Sequence, residues 1–223
     1  MSIITIVIPT HNRPNYLWRC VNYLSERAVE WPVMVVNSSD EECFRANELN
    51  INSVANGNFM HLDCRGMSIQ EKYEYALDSI TTRYLVLCGD DDFLVLPRVK
   101  ECLGLLESDP DCSHAHGRII VFWESGRFNN PIQRIREYVQ SPNEGDLYER
   151  LAHHLRDYRN NFYAVHRTED FKRAFRLTVK VSVSAELQER ILAFEAVISG
   201  GRKMVDGVLM FRQKGITGVE RKG

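Results

Sequence analysis

Three consecutive carboxylates, Asp90, Asp91 and Asp92, form the densest cluster of chemistry in the chain. They follow Gly89 and the apolar run Tyr84-Leu85-Val86-Leu87-Cys88, which reads as a buried strand of a parallel sheet. The acids then fall at the strand's carboxyl end, where open α/β sheets bind ligands. Two unit charges ~4 Å apart repel by roughly 4 kcal/mol at an effective dielectric near 20. A hard divalent cation, held by carboxylates and by phosphates of a substrate, would offset that cost. A solvated acidic turn is the plainer reading, but the apolar Phe93-Leu94-Val95-Leu96 behind the acids argues against open solvent.

Other groups suited to a ligand also fall at predicted strand ends. The β-branched run 3–8 ends in Pro9-Thr10-His11-Asn12-Arg13-Pro14, whose two prolines forbid a continuing strand. That loop brings a hydroxyl, an amide and a guanidinium to the place of a ligand. The run Val33-Met34-Val35-Val36 ends in Asn37-Ser38-Ser39-Asp40, again small and polar. Lys72 falls in the first turn of a helix with the capping-box pattern Ser68-Ile69-Gln70-Glu71. The helix dipole disfavours a cation there, so Lys72 either snorkels to solvent or reaches an anion held at the same end. His114 and His116, two apart on a predicted strand, share a face. They are a candidate metal pair, against the ordinary reading of hydrogen-bonded core histidines.

The elements that must position these groups alternate. Strands are predicted over 3–8, 33–36, 59–62 and 84–88. A helix starts at Pro14 with Leu17, Cys20, Val21 and Leu24 inward, and a short one runs from Cys43 to Leu49. Two more turn Tyr73, Ala76, Leu77 and Ile80, then Val99, Cys102, Leu103 and Leu106, toward the core. This is the pattern of a doubly wound α/β sheet with a nucleotide-type crevice. Further on, one or two strands are predicted between Cys112 and Trp123, then a long loop over 124–145 suited to a lid or acceptor-binding insert. A helix follows over Asp146–Leu155 with Leu147, Leu151 and Leu155 inward, then a strand over 162–165 and a helix from Thr168 to Phe175. An amphipathic helix over Glu186–Ile198 ends at a left-handed stop in Ser199-Gly200-Gly201. A closing strand spans Met204–Phe211, and a mobile basic tail starts at Arg212.

Composition narrows the classes. The chain of 223 residues, 44% hydrophobic and 26% charged, is ordinary for a globular protein with one sizeable core. The net charge of −2 conceals a balance of −8 over residues 1–150 and +6 over 151–223. An acidic, metal-binding part followed by a basic part suits an anionic substrate carried by a cation. The six cysteines show no C-x-x-C spacing, which leaves a zinc site without support and fits a reducing cytosol. No signal peptide and no membrane span is expected. Neither G-x-G-x-x-G nor G-x-x-x-x-G-K-[ST] is present, so a dinucleotide fingerprint or a P-loop has no support.

The opening Ile6-Val7-Ile8-Pro9-Thr10-His11-Asn12-Arg13-Pro14 resembles the first strand and loop of family-2 glycosyltransferases. Tyr84 to Asp92 looks like the family's DXD segment, and the order of the pieces over residues 3–98 fits as well. The resemblance covers the first ~100 residues well and the remainder loosely. It implies the GT-A fold: a Rossmann-like, mostly parallel sheet flanked by helices, with a smaller acceptor-side half. Residues 1–123 would be the nucleotide-sugar half and 124–223 the acceptor half with its basic tail, in one compact domain.

The resemblance also implies roles. Pro9, Thr10, Asn12 and Arg13 would line the nucleotide pocket. The family's uracil-reading acid is replaced here by Asn37-Ser38-Ser39, with Asp40 displaced, which leaves the base open. Lys72 would touch the donor. Asp90 would contact the ribose or the metal, and Asp92 the metal and the diphosphate. Which two of Asp90, Asp91 and Asp92 do so depends on a register of one residue. The metal would be Mg2+ or Mn2+, acting as a Lewis acid on the departing nucleoside diphosphate. Inverting members place a general base at a helix start in the second half. Counting back about eleven residues from Gly200 favours Glu189, with Glu186 next, although both also suit the helix dipole as first-turn acids. Arg212 and Lys214 would reach the diphosphate if the tail folds over the donor. The expected partners are a nucleotide-diphosphate sugar and a hydroxyl acceptor, which is a saccharide, a lipid-linked saccharide or a protein. No nucleic acid is expected. The place would be the cytoplasm, with peripheral attachment at the inner face of the membrane left open. A nucleotidyltransferase and a non-catalytic nucleotide-sugar-binding module are the rival readings.

Overall fold

A computed structural model describes residues 3–54, 58–127, 130–139, 141–181 and 184–214. The first half forms β1 (Ile4–Thr10), α1 (Pro14–Glu26), β2 (Val33–Asn37), α2 (Glu41–Val54), β3 (Phe59–Asp63), α3 (Ile69–Ser79), β4 (Tyr84–Leu87), β5 (Phe93–Leu94) and α4 (Leu96–Ser108). The second adds β6 (Cys112–Arg127), β7 (Asn130–Tyr138), α5 (Leu147–Arg156), β8 (Val165–Arg167), α6 (Thr168–Val181), α7 (Ala185–Ser199) and β9 (Gly201–Lys214). One sheet joins them in the order β3-β2-β1-β4-β8-β6-β9-β5, with β7 on the outer part of β6. The strands β1 to β4 are parallel, β8 runs antiparallel between β4 and β6, and β6 and β9 are parallel.

Helices cover both faces, which is why β1 and β4 need apolar side chains on both sides. Ile4, Ile6 and Ile8 pack with Leu17 and Leu24 of α1 and Val99 and Leu106 of α4. Val7, Leu85 and Leu87 turn the other way, onto Tyr73 and Leu77 of α3 and Phe171 and Phe175 of α6. Each such side chain contributes about 1.5–3 kcal/mol on leaving water. Pro14 starts α1, and Ser68 and Glu71 close the expected capping box on α3. Five of the six free cysteines are buried, as small hydrophobes. Among the described residues no helix is long and apolar enough to cross a membrane.

Several expectations are corrected. The stretch 124–145 is not one long loop: β6 runs on to Arg127 and pairs with β7 as a hairpin. Residues 132–137 are exposed on both faces of an edge strand, so no alternation of apolar and polar residues marked it. Helix α2 runs over Glu41–Val54, longer than the expected 43–49, with Phe44, the polar Asn47 and Ile51 buried. In α5 the buried residue is His154, while Leu147 and Leu155 are exposed. The strand expected at 162–165 pairs only over Val165–Arg167, and α6 runs on past Phe175 to Val181. Gly200 has φ 169°, which is extended rather than left-handed. Its reason is close approach: an added Cβ would stand 2.4 Å from the carbonyl oxygen of Asp111. Finally, Arg212, Gln213 and Lys214 belong to β9 and are no loose tail. The remainder of that tail lies outside the described residues.

Candidate active site

The acids turn off β4 through Gly89. A Cβ there would meet Asp92 Oδ2 at 2.8 Å and Asp91 Oδ1 at 3.0 Å, so the turn that stacks these carboxylates excludes a side chain. Asp90 and Asp92 are buried, at 3% and 1% exposure. Asp90 Oδ1 accepts from Arg13 Nη1 at 2.7 Å, and its Oδ2 accepts from Thr10 Oγ1 at 2.8 Å. Arg13 Nη2 donates to Asp91 Oδ2 at 2.5 Å, so one guanidinium bridges two of the three acids. Burial opposes the charge on Arg13, and Asp91 and Asp90 outweigh it, leaving its pKa raised. Asp92 is met from the other end of the chain. Its Oδ1 accepts from the backbone N–H of Gln213 at 3.0 Å, and Oδ2 faces Arg212 Nε at 3.4 Å. Burial pushes Asp90 and Asp92 up to about 6, against the opposing pull of Arg13 and of Arg212.

The loop after β1 and the turn after β2 are laced together. Asn12, at φ 53°, donates its N–H to Ser39 Oγ at 2.8 Å, and its Oδ1 accepts from Asp40 N at 2.8 Å. Asparagine is among the residues that tolerate this left-handed backbone. The Asp40 carboxylate accepts from Cys43 N at the start of α2. Asn37 is fully buried: its Oδ1 accepts from Ser39 N, and its Nδ2 meets His61 Nε2 at 3.0 Å. Pro9 sits in β1 beyond the last residue paired with β4, where its missing N–H leaves no gap in that ladder. Lys72 neither snorkels nor faces open solvent. It is buried, and Nζ donates to Ser38 Oγ at 3.0 Å and to Thr10 O at 3.3 Å, bracing both turns from α3. Burial lowers its pKa, with Cys64 and Asp90 opposing.

A cleft of about 290 Å³ opens on the other side of Arg212, walled by Val121, Tyr138, Tyr158, Asn160, Tyr163 and Arg212. Arg212 Nη2 donates to the Tyr163 hydroxyl at 2.8 Å, and its guanidinium lies 3.9 Å over that ring. Burial raises the Tyr163 pKa; Arg212 opposes this, while the charges of Asp92 and Glu189 reinforce it. Tyr163 therefore stands within electrostatic reach of both acids. Glu189 stands one residue behind the cleft wall, where its Oε2 accepts from Asn160 Nδ2 at 2.5 Å. Glu186 is exposed at the first turn of α7.

The donor set bears on a cation. Both oxygens of Asp90 are engaged, by Arg13 and Thr10. Asp92 is held more loosely: Oδ1 accepts from the Gln213 N–H at 3.0 Å, and Oδ2 is met by the longer ion pair to Arg212 Nε at 3.4 Å. Two acids held near 6 also mean that their negative charge is under-compensated. Among the described residues no three His, Cys, Asp or Glu side chains form a metal cage. One or two carboxylates completed by substrate phosphates and water is how Mg2+ is usually held, and Asp92 with its neighbours fits that pattern. His114 and His116 do not form a metal pair. His114 stacks on His166 and bonds Ser113, while His116 bonds the backbone of Gly117. Both are neutral core residues whose pKa burial lowers, His116 to about 4.

Three contributors had no local signal in the sequence. Tyr163 lies in a turn, not in the strand expected over 162–165, and Asn160 lies in the irregular stretch just before it. Arg19 of α1 donates to the Asp91 carbonyl at 3.3 Å and to the Gln213 side chain, tying α1, the acids and β9 together.

Neither a protein-family model nor a curated protein matches the chain. Solved structures do match in fold. Residues 1–349 of S. aureus TarS superpose with a TM-score of 0.59 at 15% identity, over 96% of this chain and 60% of that one. The same protein in complex with UDP-GlcNAc gives 0.59 at 14% identity, over 96% and 59%. The 4-diphosphocytidyl-2C-methyl-D-erythritol synthase of Anaerococcus prevotii gives 0.55 at 9% identity, over 92% and 87%. The chain thus spans about 60% of the matched TarS length, and at these identities the likeness establishes the mixed α/β fold.

Proposed function

We propose that the chain is an inverting, metal-assisted glycosyltransferase of the family-2 type, moving a sugar from a nucleoside-diphosphate donor to an acceptor hydroxyl. The observation that carries this reading is the buried pair Asp90 and Asp92, gripped by Arg13 and Arg212 from opposite ends of the chain, beside a cleft backed by Asn160 and Glu189. The fold shared with a protein that binds UDP-GlcNAc supports the donor class. Residues 1–123 would hold the donor, with its nucleoside over Pro9, Thr10 and Asn12 and against the turn Asn37, Ser39 and Asp40. The rest would hold the acceptor.

Arg13 and Thr10 brace Asp90, Arg13 also braces Asp91, and Asp92, tied to β9 through Gln213 and the longer ion pair to Arg212, would hold the cation. Bound Mg2+ or Mn2+ supplies Lewis-acid stabilisation to the leaving diphosphate. Arg212, steadied on Tyr163, adds a second positive charge there. Glu189, oriented by Asn160, accepts the proton of the acceptor hydroxyl. The freed oxygen bonds the anomeric carbon while the bond from that carbon to the phosphate oxygen breaks, and the nucleoside diphosphate departs. The buried free thiols suit a reducing compartment such as the cytoplasm.

A thermal-shift screen of nucleotide sugars with and without Mn2+ tests the reading, since a ligand of the folded form raises the melting point as RT ln(1 + [L]/Kd). The expected result is stabilisation by one sugar nucleotide that chelator removes and Asp92→Asn abolishes. No stabilisation by any donor would falsify it. The likeness to the Anaerococcus synthase, which extends over most of that chain, favours nucleotidyl transfer as the second reading. Pyrophosphate released from a nucleoside triphosphate would select it.

A further inference from the structure

We infer that the sheet face leading out of the cleft seats a phosphate-bearing saccharide chain as acceptor; this rests on the transferase reading above. Three strands build the face. Val121 of β6 is paired with Arg136 of β7 on one side and Arg212 of β9 on the other. Trp123 is likewise flanked by Arg134 and Lys214. Directly paired residues point to the same side of a sheet. Val121, Arg212 and Lys214 line the cleft, so Arg134 and Arg136 continue its wall outward.

This face alternates cations with aromatic rings. The Arg136 guanidinium lies 4.8 Å over Tyr138, and that of Arg134 lies 5.0 Å over Trp123. The neighbouring acids turn elsewhere: Glu137 is paired with Ile120 on the opposite face and accepts from Arg118, and Glu124 takes Arg19. Among the described residues no ion pair joins Arg134, Arg136 or Lys214 to an acid. Strands stand about 4.8 Å apart and alternate residues about 7 Å along them, so the cations form a two-dimensional row that meets several anionic groups and not one ion. A planar guanidinium grips phosphate through two N–H groups, and amphipathic rings such as Tyr138 and Trp123 offer an apolar surface with a polar tip. The row starts at Arg212, beside the acids, so whatever lies along it is held with one end at the reacting centre. That is the placement of an acceptor.

The test is fluorescence anisotropy with a labelled oligomer of sugars joined by phosphodiesters, against the neutral oligomer of the same sugars. The protein should bind the phosphodiester probe about tenfold more tightly, and added salt should erode the difference. Arg134→Gln/Arg136→Gln should lose about tenfold in affinity for that probe and keep the melting shift with nucleotide sugar. Equal affinity for the two probes, or an unchanged affinity in the variant, overturns the inference. So does preferential sedimentation with phosphatidylglycerol vesicles, which would give the face to a membrane. Binding of the oligomer without any nucleotide-sugar shift would support the face and remove the transferase reading instead.

Discussion

Two buried polar clusters lie on the same sheet, and they are built on opposite principles. At the end of β4, Asp90 and Asp92 are charged groups held by partners from α1's leading loop and from β9, with Asp92 Oδ2 met by a long ion pair to Arg212 at 3.4 Å. Under α5 and α7, His114, His116 and His166 are neutral and bonded to near neighbours such as Ser113, Gly117 and Asn161, with His114 stacked on His166 and the buried Arg202 close by. The acids border a cleft; the histidines border core. A cluster kept charged at the cost of burial, and only partly compensated, points to a ligand. Histidines relieved of their charge point to packing.

Substitution is the sharpest way to break this contrast. Asp92→Asn should lower nucleoside-diphosphate release about a thousandfold, the several kcal/mol a held cation supplies, while His166→Gln should leave turnover within about threefold and cost about 1–3 kcal/mol of stability. A coupled diphosphate assay beside a urea melt measures both. A large catalytic loss in His166→Gln would erase the distinction between the clusters.

Next in size is Glu189→Gln. General-base catalysis contributes about a hundredfold to ten-thousandfold, so kcat should fall by that much with the donor's melting shift intact. Asn160→Ala, which frees the carboxylate without removing it, should cost less. If Glu189→Gln instead weakens donor binding with kcat unchanged, the glutamate is not the base.

Acid should move the two clusters in opposite directions. His116 and His166 titrate near 6.5 when unfolded and at about 4 in the fold. The unfolded chain then binds more protons, so stability falls as pH drops from about 6.5 to about 4, by up to roughly 3 kcal/mol for each histidine. Asp90 and Asp92 stand at about 6 against 3.8 in the unfolded chain. They cost stability above about pH 6, and that cost is relieved as pH falls through this value. Melting curves without metal should therefore show a steeper loss between pH 6.5 and about 4 for Asp90→Asn/Asp92→Asn than for the unaltered protein. Parallel curves would mean that the acids are not held high by burial.

Much of this frame was legible because local rules and tertiary structure agree. The β-branched run at 3–8, Pro14, the Ser68–Glu71 box and the acids after β4 each carry their own signal and land where that signal points. The remainder depends on partners distant in sequence. Nothing near Arg19 says that it meets Gln213, and nothing near Tyr163 says that Arg212 lies on it. Strand β7 escaped notice because an exposed edge strand needs no alternation. His154 was hidden because a polar residue took the inward place on α5 where leucines were expected.

The smallest expected effect tests the packing side of the contrast. Gly200 closes α7 and seats it on the start of β6, next to Ser113, whose Oγ bonds both His114 and the Ala196 carbonyl. A Cβ at this position would press on Asp111 O at 2.4 Å and Ser113 N at 2.9 Å, both backbone atoms that cannot swing aside. Since φ here is extended, alanine brings no torsional strain, and the whole penalty is overpacking, about 1–3 kcal/mol. Gly200→Ala should thus lower the urea midpoint and, through Ser113, disturb the histidines while leaving the donor's melting shift at full size. A lost donor shift in a protein that still melts cooperatively would show that the two clusters are mechanically linked, and the division drawn between them would fail.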